Sequence, residues 1–206
     1  GMGEVYEAFD QELKERVALK AIRPDIAANE ESRQRFKREI LIARKVTHSN
    51  VCRIFDLGIH RPLTGSAGAE IMFLSMELLT GETLTQRLKA RGRMQPAEAL
   101  PLIRQMAEAL HAAHQSGVIH RDFKSSNVFL VPHNNHLRAV VTDFGLSHIQ
   151  ATGKETDGAL TMPGAILGTP AYMAPEQVDG RPLGEATDVY ALGVVMYEML
   201  TGAPPF

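Results

Sequence analysis

Asp122, Lys124 and Asn127 stand close together in the stretch "HRDFKSSN", and the apolar run "VFLV" follows at once. A second apolar run, "AVV", ends just before Asp143 in "TDFG". Two strands joined by the short polar loop "PHNNHLR" would form a hairpin whose open end carries Asn127 on one side and Asp143 on the other. An amide oxygen beside a carboxylate suits a hard divalent cation such as magnesium, which keeps waters or substrate phosphates in its remaining positions. Asp122 is then free to orient and deprotonate an attacking hydroxyl. Lys124 can neutralise charge on a transferring phosphoryl group, a reaction in which positioning and electrostatics supply most of the catalysis. The constellation reads as metal-assisted phosphoryl transfer.

The elements that must hold these residues fall into two compositional parts. Up to Leu79 the chain reads as strands plus one helix, with "VALKAI" and "IMFLSME" as buried-strand candidates. Between them Asn29 can cap a helix, Glu30 and Glu31 suit its positive end, and Phe36, Ile40, Ala43 and Val46 make its apolar stripe. Its basic residues, Arg33 to Lys45, read as a solvated face. After "LLTGETL" the pattern is mainly helical. Pro96 opens a helix whose stripe is Leu102, Met106, Ala109, Leu110 and Ala113, Pro101 should kink it or delay its first turns, and Gly117 stops it. The run "DVYALGVVMYEML" is apolar nearly all round, as a helix at the centre of a domain would be, and Asp188 at its start can cap it.

Composition narrows the classes of function. With 206 residues, 44% of them hydrophobic, the chain can bury one large core or two smaller ones. Lys and Arg total 22 against 24 Asp and Glu, so no net basic field favours nucleic acid. The single cysteine, Cys52, excludes an intramolecular disulfide, fits a reducing compartment, and reads as a small buried apolar residue in a strand. No uninterrupted apolar run is long enough to span a membrane, and the start has no signal-peptide pattern. These features give a cytoplasmic expectation, with anchoring of a longer protein left to residues beyond this sequence. The pair His111 and His114 has a spacing reminiscent of metal ligands, but no neighbouring acid or cysteine in the sequence completes a zinc site.

The ordered set "GMGEV", "VALK", "HRDFKSSN", "DFG" and "APE" resembles the protein-kinase signature set, and "GMGEVYEAFD" with "GTPAYMAPEQ" looks like the bacterial branch of eukaryotic-like Ser/Thr protein kinases. The resemblance covers the chain from end to end. It implies an α+β, two-lobed protein-kinase-like fold: a small β-rich N-lobe with one helix over residues 1–79, lacking its first strand and the start of the Gly-rich loop, and a mainly helical C-lobe over 80–206, lacking its final helices. It also implies ATP and Mg2+ as cofactors. Lys20 would hold the α- and β-phosphates and pair with Glu39, and Gly3 and Val5 would belong to the phosphate-covering loop. Val5 and Ala18 would roof the adenine, Phe129 would floor it, Met76 would be the gatekeeper, and the backbone of Glu77 and Leu79 would meet the adenine edge. Asp122 would be the base, Asn127 and Asp143 the metal ligands, and Thr169 would bridge Asp122 and Lys124. His120 and Phe144 would stack in an internal spine with Ile54 and Ala43, and Asp188 would also hold the catalytic-loop backbone. Glu176 of "APE" would pair with an arginine beyond Phe206. Phe123 and Ser125 replace the usual leucine and proline without a chemical role.

Lys124 two residues beyond the base, and Thr169 in "GTPAY", imply Ser or Thr hydroxyls of proteins as acceptors. Arg121 would pair with a phosphorylated threonine in the loop between "DFG" and "APE": Thr161 first, Thr156 second and Thr152 third, with self-association serving trans-autophosphorylation. Two other readings stand beside this one, a pseudokinase that binds partners without transfer and a small-molecule phosphotransferase.

Overall fold

The computed structural model describes residues 4–22, 30–61, 70–134, 136–144 and 170–206. Strands β1 (Val5–Asp10), β2 (Glu15–Ala21), β3 (Ile54–His60) and β4 (Ile71–Glu77) form one antiparallel sheet in the order β1-β2-β4-β3. Helix α1 (Glu30–Ala43) sits between β2 and β3 in the chain, starting on two acids as expected for the positive end of its dipole. Its Phe36 and Ile40 are almost wholly buried and pack with Ile22, Met72 and Leu74 into a small core. The strands β1 and β3 are additions to the sequence reading. "VYEAFD" is mostly exposed and "IFDLGIH" is only partly buried, so neither carries the apolar run that marks a central strand.

The second unit is mainly helical around a small sheet, β5 (Glu82–Thr83), β6 (Val128–His133) and β7 (His136–Val141). Thr83 caps α2 (Leu84–Arg91) in a capping box: its hydroxyl accepts from the Gln86 amide and the Gln86 side chain accepts from the Thr83 amide. Helix α3 (Pro96–Gln115) begins at Pro96 and runs through Pro101, so its first turns are not delayed. All five residues of its expected stripe are buried, and Gly117, at φ 74°, ends it with an amide bond back to His114. The short helix α4 (Pro175–Val178), the long α5 (Glu185–Thr201) and two single 3-10 turns, Ser125–Asn127 and Pro170–Tyr172, complete the described elements. Helix α5 buries Ala191, Val194, Val195 and Met199 but exposes Val189 and Tyr197, so it is buried on one side rather than all round. A second, larger core joins α2, α3, β6, β7 and α5.

Two details fix the hairpin that matters for the site. The β6–β7 register pairs Val128 with Val141 at one end and His133 with His136 at the other, so most of the expected polar loop is strand, and Asn134 follows β6 at φ 44°. Where the chain passes from the first unit to the second, Gly81 lies against the Leu130 carbonyl so closely that a Cβ would overlap it. A side chain there would push β6, and with it Phe129, away from the crossing strand.

Candidate active site

The catalytic-loop candidates converge as their spacing suggests. Lys124 Nζ bonds both oxygens of Asp122, at 2.8 and 3.0 Å. The Asn127 amide nitrogen donates to the Asp122 carbonyl at 2.9 Å, which commits that end of the side chain and turns its oxygen into the atom left for a ligand. The Thr142 amide donates to the Asn127 carbonyl at 2.9 Å, so Asn127 and Asp143 do flank the open end of the hairpin. One amide oxygen and one carboxylate form a hard, oxygen-only donor set, and among the described residues no cluster of three or more His, Cys, Asp or Glu side chains could hold a metal alone. That set fits an ion that takes most of its ligands from phosphate and water, as magnesium does.

Asp143 also receives the first sheet. Lys20, 4% exposed, reaches its carboxylate at 2.6 Å across the junction of the two units. A lysine so deeply buried needs such a partner, because an isolated ammonium there would be costly to desolvate. The sheet register pairs Val5 with Lys20 and Ala18 with Met76, and the two-residue period then places Val5, Ala18, Lys20 and Met76 on one face. Glu39 on α1 faces the loop before Asp122, its Oε1 standing 3.7 Å from Arg121 Nη1. Arg121 thus already faces a carboxylate, before any phosphate is considered.

The backbone of this loop is anchored from a distance. Asp188 accepts hydrogen bonds from the amides of His120 (2.8 Å) and Arg121 (2.9 Å), and its Oδ2 lies 2.7 Å from His114 Nε2. It sits one turn inside α5 and makes no cap, since the N-terminal position belongs to Gly184. The expected hold on the loop is present and the expected capping role is not. The same bond supplies an acid to His114, which the local sequence around it could not show. Arg121 and Asp143 both adopt φ 67°, a left-handed conformation that non-glycine residues avoid at a cost of roughly 1–3 kcal/mol each. The Asp188 bond on one side of Arg121 and the Gln177 side chain on its carbonyl, at 2.8 Å, over-determine that strained turn. His120 is fully buried, packs against Phe144 with tilted rings 4.7 Å apart, meets Phe123 edge-on at 5.5 Å and reaches the Thr142 carbonyl. Its role as a support follows from that enclosure.

Several residues carry more than the sequence suggested. Ser125 is 1% exposed, and its hydroxyl meets Thr85, Tyr172 and Glu198 at 2.7, 3.0 and 3.1 Å, while Tyr172 donates to Glu198 at 2.7 Å. Burial, with the Glu198 carboxylate beside it, pushes the Tyr172 phenol well above its usual range, so it stays a donor. Serine in place of the usual proline was the one available signal. Glu176 accepts from the Thr187 hydroxyl at 2.7 Å, which holds its carboxyl below the ordinary range, so it has a partner within this chain. Gly3, Asn29, Thr152, Thr156, Thr161 and Thr169 lie outside the described residues.

Cys52 lies just before β3, rather than within a strand, and is buried behind Glu77, whose carbonyl is 3.8 Å from its sulfur. Burial first, then the charges of Glu77 and Asp143, push its thiol up to about 12 from an ordinary 9.0. The folded thiol keeps its proton longer than the unfolded one, so its contribution to stability is full below pH 9 and is lost as pH rises through 12. Alkylation of Cys52 by iodoacetamide at pH 8 should be about a thousandfold slower in the native protein than in denaturant, by mass spectrometry of timed aliquots. Equal rates would mean that the thiol is open to solvent.

Comparison with known proteins agrees with this geometry. The whole chain, residues 1–206, matches the protein kinase domain family. It is 35% identical over its full length to a probable serine/threonine-protein kinase PknB of Corynebacterium glutamicum, of which it covers 30%. It is 36% identical to the serine/threonine-protein kinase PknA of Mycobacterium tuberculosis, covering 45% of that protein. Among solved structures, the kinase domain of Mycobacterium tuberculosis PknI superposes over the whole chain with a TM-score of 0.73 at 28% identity, the chain covering 72% of that domain. The chain thus spans 30% to 45% of the length of these curated relatives. With a β-rich first unit bearing one helix, a helical second unit and a full-length family match, this chain belongs to the protein kinase family.

Proposed function

We propose that the protein carrying this chain transfers the γ-phosphate of ATP to Ser or Thr hydroxyls of proteins. The observation that carries this reading is a convergence drawn from both units: Lys20 bonds Asp143, Lys124 and Asn127 bond Asp122, and the Thr142 amide on the Asn127 carbonyl sets the two groups side by side. In this reading residues 1–79 are the N-lobe and 80–206 the C-lobe.

The face formed by Val5, Ala18, Lys20 and Met76 receives the nucleotide, with Phe129 below and the backbone of Glu77 and Leu79 at the adenine edge. Lys20 would hold the phosphates, and Asn127 and Asp143 would hold magnesium. When bound, the ion neutralises phosphate charge and fixes the phosphoryl group for in-line attack. Asp122 accepts the acceptor's hydroxyl proton as its oxygen bonds to phosphorus and the bond to the ADP oxygen breaks. Lys124, already on both Asp122 oxygens, orients that carboxylate and offsets the developing charge. Gly3 and Thr169 extend this machinery, and phosphate on Thr161 or Thr156 would draw Arg121 into a new ion pair.

The test is transfer of labelled γ-phosphate from ATP to a generic Ser/Thr protein substrate by the full-length protein, beside Asp122→Asn. Transfer by the wild type and its loss in the variant are the expected results. ATP binding without transfer would mark a binding module, and transfer to free alcohols but not to protein would mark a small-molecule phosphotransferase.

A further inference from the structure

Glu77 ends β4 at the crossing between the units, and its side chain lies on the sheet face opposite the one shared by Lys20, Ala18 and Met76. On that far side the Arg138 guanidinium donates through Nη2 to Glu77 Oε1 at 2.9 Å and through Nη1 to the Ser49 carbonyl at 2.9 Å. The other Glu77 oxygen accepts from the Arg53 amide at 3.4 Å, and the Glu77 amide donates to the Arg53 carbonyl at 2.9 Å. Arg138 itself stands on β7, whose backbone is tied to α3: the Gln105 side chain accepts from the Ala139 amide at 2.8 Å and donates to the Leu137 carbonyl at 3.3 Å. Asn50 closes the frame by donating to both Gln105 and Ala139. Arg138 also lines a cavity of about 630 Å3, so on that side hydrogen bonds rather than packing fix the guanidinium.

We propose that Arg138 is a positioning residue for nucleotide: it locks the backbone at Glu77 from behind, so that the carbonyl and amides of the crossing strand meet the adenine edge at a fixed height. The inference rests on the kinase reading for its ligand. Its basis is that a hinge residue's side chain is gripped by the second unit while its backbone borders the face that holds Lys20. Because Arg138 stands on the opposite face, it touches neither phosphate nor acceptor, and its effect falls on nucleotide affinity rather than on chemistry.

The experiment compares wild type, Arg138→Met, Arg138→Lys and Glu77→Gln in the full-length protein, measuring kcat and KM for ATP, equilibrium ATP binding by calorimetry, and the ATP-to-GTP preference. Arg138→Met should raise KM and Kd for ATP about five- to tenfold with kcat within about twofold, the loss expected for one charge-assisted contact acting through position. The preference for ATP over GTP should narrow. Arg138→Lys, which keeps one bond to Glu77, should recover part of the affinity, and Glu77→Gln should mimic Arg138→Met. If Arg138→Met does not fold, Glu77→Gln, which keeps shape and hydrogen-bonding capacity, decides alone. Unchanged KM and Kd in folded variants overturn the inference, as does a fall in kcat and melting temperature with KM and base preference intact. A wild type that binds ATP without turnover overturns the kinase reading while the binding comparison still judges Arg138. A wild type that binds no ATP overturns both.

Discussion

In the proposed reaction, Asp143→Asn should lower phosphoryl transfer by about a thousandfold or more while leaving the fold in place. The substitution keeps the side chain's shape but removes the charge that does two jobs at once. It deprives Lys20 of its 2.6 Å carboxylate partner and takes from the hairpin mouth the only anionic member of the Asn127–Asp143 pair. A neutral amide would bind magnesium far more weakly, and Lys20 would lose one of the contacts that tie the first sheet to the second unit. Lys20→Met should give a loss of similar size by a different route, with magnesium still held but phosphate ungripped. The measurement is initial-rate transfer from ATP by full-length protein, with circular dichroism and thermal melting to confirm folding. Wild-type turnover by either folded variant is incompatible with the proposed reaction.

Asp188→Ala should both destabilise the protein and silence it. The carboxylate is 1% exposed and accepts from two loop amides and from His114, so its removal strands buried donors on His120, Arg121 and His114 together. Each such donor costs about 1–3 kcal/mol, which puts the three together at roughly 3–9 kcal/mol and the melting shift on the order of ten degrees or more. The same bonds hold Arg121 in its left-handed turn, and without them that turn relaxes toward an ordinary conformation and carries Asp122 out of register. Asp188→Asn keeps one acceptor oxygen and should fall between. Thermal melting read beside kcat separates the two effects: the Asn variant, at temperatures where it is fully folded, should still turn over at least tenfold more slowly. If it turns over as fast as wild type, the loop needs no help from α5.

Much of this site was legible because its residues travel in short motifs with structural consequences of their own. "VFLV" and "AVV" announce two buried strands, and strands so close in sequence pair as a hairpin, which places Asn127 beside Asp143 without knowledge of the rest of the chain. Phe36 and Ile40, one helical turn apart, identify the buried face of α1 in the same way. What escaped was of two kinds. The strands β1 and β3 are exposed or half-buried, so their neighbours in the sheet, rather than an apolar run of their own, make them strands. The grips of Asp188 on the loop amides, of Glu198 on Ser125 and of Arg138 on Glu77 join residues far apart in the chain, and no local period encodes such a meeting. Asp188 was reached only through the family resemblance. Left-handed Arg121 and Asp143 had no signal at all, because neither residue type advertises that conformation.

The two amides that shape the turn at Arg121 point at a carboxylate 68 and 67 residues further along the chain. The turn is therefore not a portable cassette. Transplanting "HRDFKSSN" into a related scaffold carries the reactive groups but leaves behind the member that sets their posture, and a library that recombines halves of this chain between Asn127 and Asp188 separates the pair at every crossover. Variation tolerated in α5 is constrained by the loop it serves, so the two segments must be inherited, swapped or redesigned as one discontinuous unit.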